Sequence, residues 1–347
     1  MDVGVFRNIG KDAHKMIEVT DLVKRYGNNV AVDHLNFTIN DGQIYGLLGP
    51  NGAGKSTTMN ILTGYLCANE GTVTINGYDI FKQTEKAKAQ IGYLPEIPPL
   101  YTDMTVREYL QFVCELKKVA KADIMAEIDR VSSKTGITDV LNRLINNLSK
   151  GYKQRVGIAQ ALVGSPSIII LDEPTVGLDP LQIIEIRDLI RELGKDHTVI
   201  LSSHILSEVS AVCDEILIIS HGKLVACDTP DNLSKMSEGH SELHVVVKGE
   251  RKAAEQAVKA CENIEKCDFA ESEEGIELAI VPKDKADIRE ELFYILADRK
   301  LPILEMKSVS ASLEEVFIDL TSKDPAEIQV NNDEKEDESC LQSTEEN

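Results

Sequence analysis

Uninterrupted apolar runs recur along the first part of the chain, with helical spacing between them. A run without polar positions is typical of a parallel strand that is covered on both faces. Such runs predict buried strands over 44–48, 168–171 and 198–202. Helices are predicted over 56–67, 181–194 and 206–213, and a closing pair of strands over 216–219 and 223–226. This alternation predicts an α/β domain that ends near residue 235.

Two other patterns of apolar residues occur within this α/β domain. Alternating or turn-bounded apolar segments predict strands over 17–23, 30–39, 71–77 and 90–94. From about residue 105, apolar residues recur instead at helical spacing, first at Val106, Tyr109, Leu110 and Val113. We therefore expect a helical subdomain over about 97–160, inside a domain that spans 16–235.

A second pattern of elements follows residue 235. Strands are predicted over 242–247, 266–270, 276–281 and 301–306, and helices over 251–261, 286–299 and 312–321. The order β-α-β-β-α-β is that of the ferredoxin-like fold. We expect an accessory α+β domain over 236–323, a flexible extension over 1–15 and a tail over 324–347.

The charge of the chain is strongly acidic. The formal net charge is −21, which argues against a broad electrostatic surface for nucleic acid. Part of this charge is local, since residues 324–347 contain nine acidic residues and one lysine. This tail is predicted to be disordered and solvated.

The cysteines and the hydropathy of the chain indicate the cellular compartment in which the protein is expected. The seven cysteines are scattered, odd in number and without a CxxC pair, as suits a reducing cytoplasm. Cys261 and Cys267 lack nearby histidines, so packing explains them better than a metal. No signal peptide is evident, and no apolar run is long enough to span a bilayer. Any role at a membrane therefore requires a separate partner.

A glycine-rich stretch after the strand at 44–48 fits the phosphate-binding loop pattern. Its glycines allow the backbone to wrap closely around a nucleotide's phosphates, and its N–H groups can form a nest for the anion. Lys55 adds a positive charge, and the Ser56 hydroxyl can ligate Mg²⁺. The residues of the loop are Gly49, Pro50, Asn51, Gly52, Ala53, Gly54, Lys55, Ser56 and Thr57.

The setting of this loop supports the assignment. A buried strand precedes it and a predicted helix follows, so phosphate would meet a helix N-terminus. The alternative is an ordinary glycine-rich turn, and the motifs farther along the chain argue against it.

Two acidic residues follow the apolar run at 168–171. Asp172 stands where nucleoside triphosphatases place an acid that coordinates Mg²⁺. Glu173 comes next, where the strand ends, and can orient water as a general base. The alternative is a surface acidic pair, which an apolar strand leading into Asp-Glu-Pro-Thr disfavours.

His204 follows the strand at 198–202 and is predicted at the same sheet edge. Open parallel sheets bind ligands outside the carboxyl ends of their strands. A lone histidine is usually structural, but this placement favours a functional one.

Together these residues resemble the nucleotide-binding subunit of ATP-binding cassette (ABC) transporters. Leu148–Arg155 resembles the family's signature stretch and Gly177–Pro180 its D-loop. By the same resemblance, Glu173 is the catalytic glutamate, His204 the switch histidine and Tyr26 the aromatic that stacks on adenine. The motifs occur in the family's order over residues 16–235. The resemblance implies a P-loop cassette with a RecA-like parallel core, an antiparallel β subdomain and an α-helical subdomain.

Two departures from the family pattern matter. Glu96 replaces the usual glutamine of the Q-loop, and a carboxylate there can still ligate Mg²⁺ while adding negative charge. The signature has Lys150 and Tyr152 in place of its usual glycine and glutamine, although Ser149 and Gly151 remain. Such variants resemble the ABC-2 exporter subgroup, in which an accessory domain often ends in a motif like the one at 312–317.

The resemblance also implies a dimer. In the family, Ser149 and Gly151 of one subunit close over ATP on the phosphate loop of another, and Asp179 of the partner joins the site. The implied protein is an ATPase that converts ATP and water to ADP and phosphate, with Mg²⁺. It would lie in the cytoplasm, on the inner face of the membrane, bound to integral permease subunits and to a second nucleotide-binding subunit.

Two alternatives remain open at this point. One is a soluble ABC ATPase of translation or DNA repair. Translation factors usually carry two cassettes, and repair proteins insert a long coiled coil where this chain has about 110 residues without sustained heptads. The other is a regulatory cassette that binds ATP without hydrolysing it, against which Lys55, Asp172, Glu173 and His204 argue.

Overall fold

The computed structural model describes residues 14–236, 242–261, 263–272, 275–283 and 286–309, with Glu314, Phe317, Ile318 and Thr321. The described residues fall into two compact units, one made of those up to Pro230 together with Thr321 and the other of those from Asp231 to Ile318. This division lies close to the predicted boundary near residue 235, and the limits of the domains stay predictions. Most of the predicted helix over 312–321, its motif at 312–317, the extension up to residue 13 and the acidic tail lie outside the described residues.

The first unit contains two sheets. Its strands are β1 (Lys15–Tyr26), β2 (Asn29–Asn40), β3 (Ile44–Leu48), β4 (Glu70–Ile75), β5 (Tyr78–Asp79), β6 (Ile91–Leu94), β7 (Ile168–Asp172), β8 (Thr198–Ser203), β9 (Glu215–Ser220) and β10 (Lys223–Asp228). Six of them form a sheet in the order β10-β9-β3-β8-β7-β6, and β2-β1-β4-β5 form an antiparallel sheet.

The larger sheet brings its strand ends to one edge. Pairs from β9 to β6 are parallel, and only β10 is antiparallel to its neighbour. Every residue of β3, β7 and β8 is buried, which confirms the predicted parallel strands covered on both faces. The residues that follow β3, β7 and β8 therefore lie at one edge of the sheet.

Helices accompany this sheet, and those between residues 106 and 162 fall where the helical subdomain is predicted. The helices are α1 (Lys55–Leu62), α2 (Thr84–Ala89), α3 (Val106–Leu116), α4 (Ile124–Thr135), α5 (Lys150–Leu162), α6 (Pro180–Leu193) and α7 (Leu206–Ser210). The apolar positions read at helical spacing on α3 are buried, and Thr105 and Glu108 form a capping box at its start.

Two predicted helices of the first unit are too long. The helix predicted over 56–67 ends at Leu62, because Thr63 caps it and Gly64 takes φ +64°, a conformation that glycine adopts without strain. The helix predicted over 206–213 ends at Ser210. Both errors lie at helix ends, where the apolar spacing continues into a turn.

The first unit buries a continuous apolar core between its two sheets. Ile17, Leu35 and Ile75 from the antiparallel sheet join Tyr45 and Ile170 of the parallel sheet in one cluster. Met59 and Ile61 of α1 pack into the same cluster, so the helix that follows the phosphate loop is held by the core. This packing fixes the loop between β3 and α1. Among the described residues, no helix combines the length and apolar character that crossing a bilayer requires.

The second unit has the predicted order of elements. It contains α8 (Pro230–Met236), β11 (Glu242–Val247), α9 (Arg251–Val258), β12 (Ile264–Glu271), β13 (Ile276–Pro282), α10 (Arg289–Asp298) and β14 (Ile303–Val309). Its sheet has the order β12-β13-β11-β14, and each neighbouring pair is antiparallel. From β11 to β14 this is the β-α-β-β-α-β order, and assignment to the ferredoxin-like fold stays a prediction.

Candidate nucleotide-binding site

The glycine-rich loop joins the end of β3 to the start of α1, in the strand-loop-helix setting that the sequence predicts. Two of its glycines have no room for a side chain. A Cβ on Gly49 would lie 2.3 Å from the carbonyl oxygen of Ile219, and one on Gly54 would lie 2.3 Å from that of Ala31. Gly54 also takes φ +106°, which favours glycine. The loop can therefore hold this path only with glycine at both positions.

Hydrogen bonds fix the loop against neighbouring segments. The N–H of Gly222 donates to the carbonyl of Ala53 at 3.0 Å, and the N–H of Thr58 donates to that of Gly54 at 2.9 Å. No acidic residue lies in the first turn of α1. The positive end of this helix thus faces the loop without a compensating carboxylate from its own first turn.

Lys55 lies inside the loop. The residue is only 7% exposed, and its Nζ donates to the carbonyl oxygens of Gly49 at 2.7 Å and Pro50 at 3.1 Å. Burial lowers the pKa of Lys55, while the charges of Glu173 and Asp172 act in the opposite direction. The negative charges of these two carboxylates therefore act directly on the ammonium group of Lys55.

Ser202 connects the two acids at the end of β7. Its hydroxyl donates to Oδ1 of Asp172 at 2.5 Å and accepts from the N–H of Glu173 at 3.0 Å. Burial raises the pKa of Asp172, and the negative charge of Glu96 adds to this effect, while the Ser202 hydrogen bond and Lys55 oppose it. A nearby cation would relieve this cost, so the acid is suited to hold a metal ion.

Glu173 leaves the strand and meets His204. Its backbone takes φ +48°, an uncommon value for a residue other than glycine. The two carboxylate oxygens lie 3.0 and 3.1 Å from Nδ1 of His204. The Glu173 side chain is 11% exposed and that of His204 is 43% exposed. The pair therefore combines a nearly buried carboxylate with an imidazole that reaches solvent.

A second carboxylate behind this pair was missed by sequence reasoning. Glu208 on α7 is 8% exposed, and its Oε2 accepts from the hydroxyls of Thr175 at 2.5 Å and Ser203 at 3.3 Å. Thr175 follows Glu173 by two residues, and Ser203 precedes His204. Glu208 thus links the segment that carries Glu173 to the segment that carries His204. The signal in the sequence was a glutamate between the apolar positions Leu206 and Val209 of a predicted helix.

One cleft of about 490 Å³ gathers most of the predicted nucleotide residues. Tyr26 lines this cleft and is 50% exposed. Asn29, Ala31 and Val176 also line the cleft and were not singled out from the sequence. The predicted residues that line it are Tyr26, Asn51, Gly52, Gly54, Lys55, Ser56, Thr57, Glu96, Glu173 and His204.

The signature residues do not join this cleft within one chain. Ser149 and Gly151 line a separate cleft of about 260 Å³ with Gln182 and Glu185. Ser149 is the N-cap of α5, since its hydroxyl accepts from the N–H of Tyr152 at 3.3 Å. Asp179 is likewise the N-cap of α6. Ser149 and Asp179 therefore each cap a helix within the chain itself.

Comparison with known proteins gives consistent matches. A family model described as "ABC transporter" matches residues 32–176. The uncharacterized ABC transporter ATP-binding protein YhcH of Bacillus subtilis (strain 168) is 33% identical over 316 residues, which cover 90% of this chain and 98% of YhcH. The bacitracin transport ATP-binding protein BcrA of Bacillus licheniformis is 40% identical over 66% of this chain and 75% of BcrA.

Solved structures agree with these relatives. An ATP-binding subunit of an ABC transporter has 31% sequence identity and a TM-score of 0.58, and the match covers 64% of this chain and 92% of that one. The relatives and the structure therefore agree on the architecture around the cleft.

Proposed function

Because this chain belongs to the ABC transporter family as an ATP-binding subunit, we propose that it hydrolyses ATP to power an exporter. One observation carries the proposal beyond nucleotide binding. Glu173 lies 3.0 Å from His204 in the cleft that also contains the loop lysine. A cassette that only binds ATP has no need of a carboxylate held by an imidazole next to the phosphate site.

The cleft fits a nucleoside triphosphate. The loop supplies backbone N–H groups and the N-terminus of α1, and both attract phosphate. Lys55 would exchange its carbonyl partners on the loop for phosphate oxygens, which carry more charge. The exposed ring of Tyr26 would stack on the base, and Lys24, whose Nζ lies 5.4 Å from the ring centre, keeps positive charge nearby.

The donors near the phosphates fit magnesium. Ser56, Asp172 and Glu96 offer hard oxygen atoms, which Mg²⁺ prefers. Among the described residues, no cluster of three or more His, Cys, Asp or Glu could hold a metal alone. This agrees with an ion held by one or two protein carboxylates and by the nucleotide. When bound, Mg²⁺ neutralises charge that develops on the phosphates.

Glu173 would act as the general base in hydrolysis. An ionised carboxylate only accepts hydrogen bonds, so the contact assigns the imidazole proton to Nδ1 of His204. The histidine then holds both carboxylate oxygens and leaves Nε2 available on its other side. In this arrangement Glu173 orients a water molecule and removes its proton as the water attacks the γ-phosphate.

The complete site would need two subunits. Ser149 and Gly151 line a different cleft from the loop, so they would contact ATP bound to a second copy. The N-terminus of α5 would then face the γ-phosphate. Asp179 of the second copy would join the same interface. We propose a homodimer with two ATP molecules, because one chain carries every motif.

The membrane partners follow from the family. ABC ATP-binding subunits are components of transporter complexes, so separate integral membrane subunits would provide the path and this chain would lie on the inner face of the membrane. The names of BcrA and of the probable multidrug ABC transporter ATP-binding protein YbhF of Escherichia coli favour export. A soluble translation or repair ATPase is not favoured, and we propose no role with nucleic acid.

Purification of the intact chain from its membranes tests this function. We expect an integral membrane protein to co-purify with it, and ATPase activity that requires Mg²⁺. Copies bound only to ribosomes or DNA would contradict the transport role. Tight ATP binding without release of phosphate from the complex would contradict the ATPase role instead.

We expect Tyr26→Ala to weaken ATP binding by about 1–2 kcal/mol, the scale of one lost base stack. Tyr26→Phe keeps the ring and is the matched control, for which we expect unchanged affinity. Titration of the isolated chain with a fluorescent ATP analogue and with unlabelled ATP in competition measures both. Equal affinity of the alanine variant and the wild type would show that the ring makes no stack.

Glu208→Ala should slow hydrolysis about tenfold, because the loss of its carboxylate leaves two buried hydroxyls without their acceptor and loosens Glu173 and His204. Glu208→Gln retains one acceptor oxygen and should lose less. The values of kcat and KM for ATP separate positioning from binding, and we expect KM to change little. A lower unfolding temperature with an unchanged kcat would assign Glu208 a role in stability alone.

A further inference from the structure

The β-hairpin that carries Tyr26 also brings an asparagine to the nucleotide cleft. β1 ends at Tyr26 and β2 begins at Asn29, so Gly27 and Asn28 alone form the turn between them. Gly27 takes φ +59°, as the first central position of such a two-residue hairpin turn requires. A turn this short fixes the residues at its two ends relative to each other.

Tyr26 and Asn29 lie directly opposite each other in the antiparallel pair of β1 and β2. Residues in this relation project from the same face of the sheet, with their Cβ atoms about 5 Å apart. Both residues line the cleft of about 490 Å³, and both are exposed. The carboxamide of Asn29 is therefore a neighbour of the tyrosine ring and is open to a ligand.

A bulge in β2 sets the distance between Asn29 and the phosphate loop. The register of the two strands shifts after Lys24, and Ala31 is the extra residue of the bulge. The carbonyl oxygen of Ala31 lies 2.3 Å from the position that a Cβ on Gly54 would take, so β2 meets the loop there. Asn29 lies two residues, or about 7 Å, farther toward the turn. Because the ribose separates the phosphates of a nucleotide from its base, the base would lie beside Asn29.

A carboxamide complements the edge of adenine that carries the 6-amino group. The oxygen of the carboxamide accepts hydrogen bonds, and its NH₂ group donates them. Adenine has a ring nitrogen that accepts hydrogen bonds on each side of its 6-amino group, so one amide can bond both kinds of group at once. A base that stacks on Tyr26 directs its edges sideways from the stack, where a neighbouring side chain can reach them.

We propose that Asn29 recognises adenine, with its carboxamide oxygen accepting from the 6-amino group and its NH₂ group donating to the adjacent ring nitrogen. This inference rests on the proposed function, because it takes the base of ATP to stack on Tyr26. Stacking tolerates every base, and the phosphate loop binds the part that all nucleoside triphosphates share. Asn29 binds the part that differs between them, and it is therefore a specificity-determining residue.

A cycle that changes both the protein and the ligand tests this contact in the intact chain. The ligands are ATP and purine riboside triphosphate, which differs from ATP in lacking the 6-amino group. We expect wild type to prefer ATP by about fivefold, the scale of one hydrogen bond, and Asn29→Ala to lose about threefold or more of that preference. Asn28→Ala is the matched control, because Asn28 lies in the turn and outside the residues that line the cleft. It should keep the preference of wild type.

Displacement of a fluorescent ATP analogue without Mg²⁺ measures these affinities, so that hydrolysis does not contribute. Asn29→Leu keeps the size of the side chain without its hydrogen bonds and should behave as Asn29→Ala does. Binding of purine riboside triphosphate by either variant shows that the cleft is folded. GTP is a less direct probe, because the amide can turn over to donate to the oxygen at C6 of guanine.

Two results would contradict the inference, and they differ in what they say about the proposed function. If both Asn29 variants prefer ATP as strongly as wild type does, the inference is overturned and the proposed function stands. If wild type binds neither nucleotide, the proposed function is overturned and the inference with it.

Discussion

Glu173→Gln is expected to lower ATP hydrolysis by about 100-fold or more and to leave ATP binding intact. Glutamine has nearly the same shape, so the backbone contact between Glu173 and Ser202 remains. The amide cannot take a proton from water. Its oxygen can still accept from Nδ1 of His204, which keeps the side chain in place. The variant should therefore remove the base and little else.

The same variant should accumulate as an ATP-bound dimer. If ATP holds two copies together, a cassette that cannot hydrolyse it cannot reopen. Light scattering after gel filtration, with ATP and Mg²⁺, measures the dimer, and phosphate release measures hydrolysis. Glu192→Gln is the control, because Glu192 is an exposed acid on α6 that forms a surface ion pair with Lys195. Wild-type turnover in Glu173→Gln would remove Glu173 from its proposed role.

The strands of the parallel sheet could be predicted well, because burial on both faces requires apolar residues at successive positions of the sequence. β3, β7 and β8 are buried on both faces, so each contains a short, nearly uniform apolar run. The residues after these strands could then be placed at one sheet edge by topology alone. That is why Lys55, Glu173 and His204 were predicted to lie together, and they line one cleft.

Hydrogen bonds between side chains could not be predicted in this way. Ser202 bridges Asp172 and Glu173, and Glu208 bridges Thr175 and Ser203, but each bridge depends on rotamers and on the pairing register of β7 with β8. A serine at a strand end and a glutamate on a short helix have many other uses. The sequence indicates which residues share an edge, while their hydrogen bonds follow only from the packed structure.

The ends of the helices were also predicted poorly. α1 stops at Leu62 because Gly64 adopts a positive φ, although apolar residues continue to Leu66. Apolar spacing reports which residues face the core and says little about the turn that ends a helix. The error leaves the site unaffected, since the phosphate loop meets the opposite end of this helix.

The second large effect concerns the half of the site that another copy would supply. We expect Ser149→Asp to abolish ATP-dependent dimerisation and to lower hydrolysis about 100-fold or more, since a carboxylate would face the γ-phosphate of ATP on the partner. Aspartate is also a favourable N-cap. It can accept from the N–H of Tyr152 as the serine does, so α5 should keep its stability.

Ser149→Asn separates charge from shape. Asparagine is an equally good N-cap and carries no charge, so we expect it to dimerise with ATP far better than the aspartate variant. Both are best measured in the Glu173→Gln background, where hydrolysis does not reopen the dimer. ATP affinity of the monomer should be unchanged in both, because Ser149 does not line the cleft that contains the loop of its own chain.

Mixing two inactive variants tests whether Ser149 of one subunit and Lys55 of the other belong to the same ATP site. A chain with Ser149→Asp keeps an intact loop, and a chain with Lys55→Ala keeps an intact signature. If the site is shared, each mixed dimer contains one site with both defects and one site with neither. Mixtures should then recover part of the ATPase activity that each variant lacks alone. A mixture as inactive as its components, although mixed dimers form, would show that Ser149 and Lys55 do not complete one another across the interface.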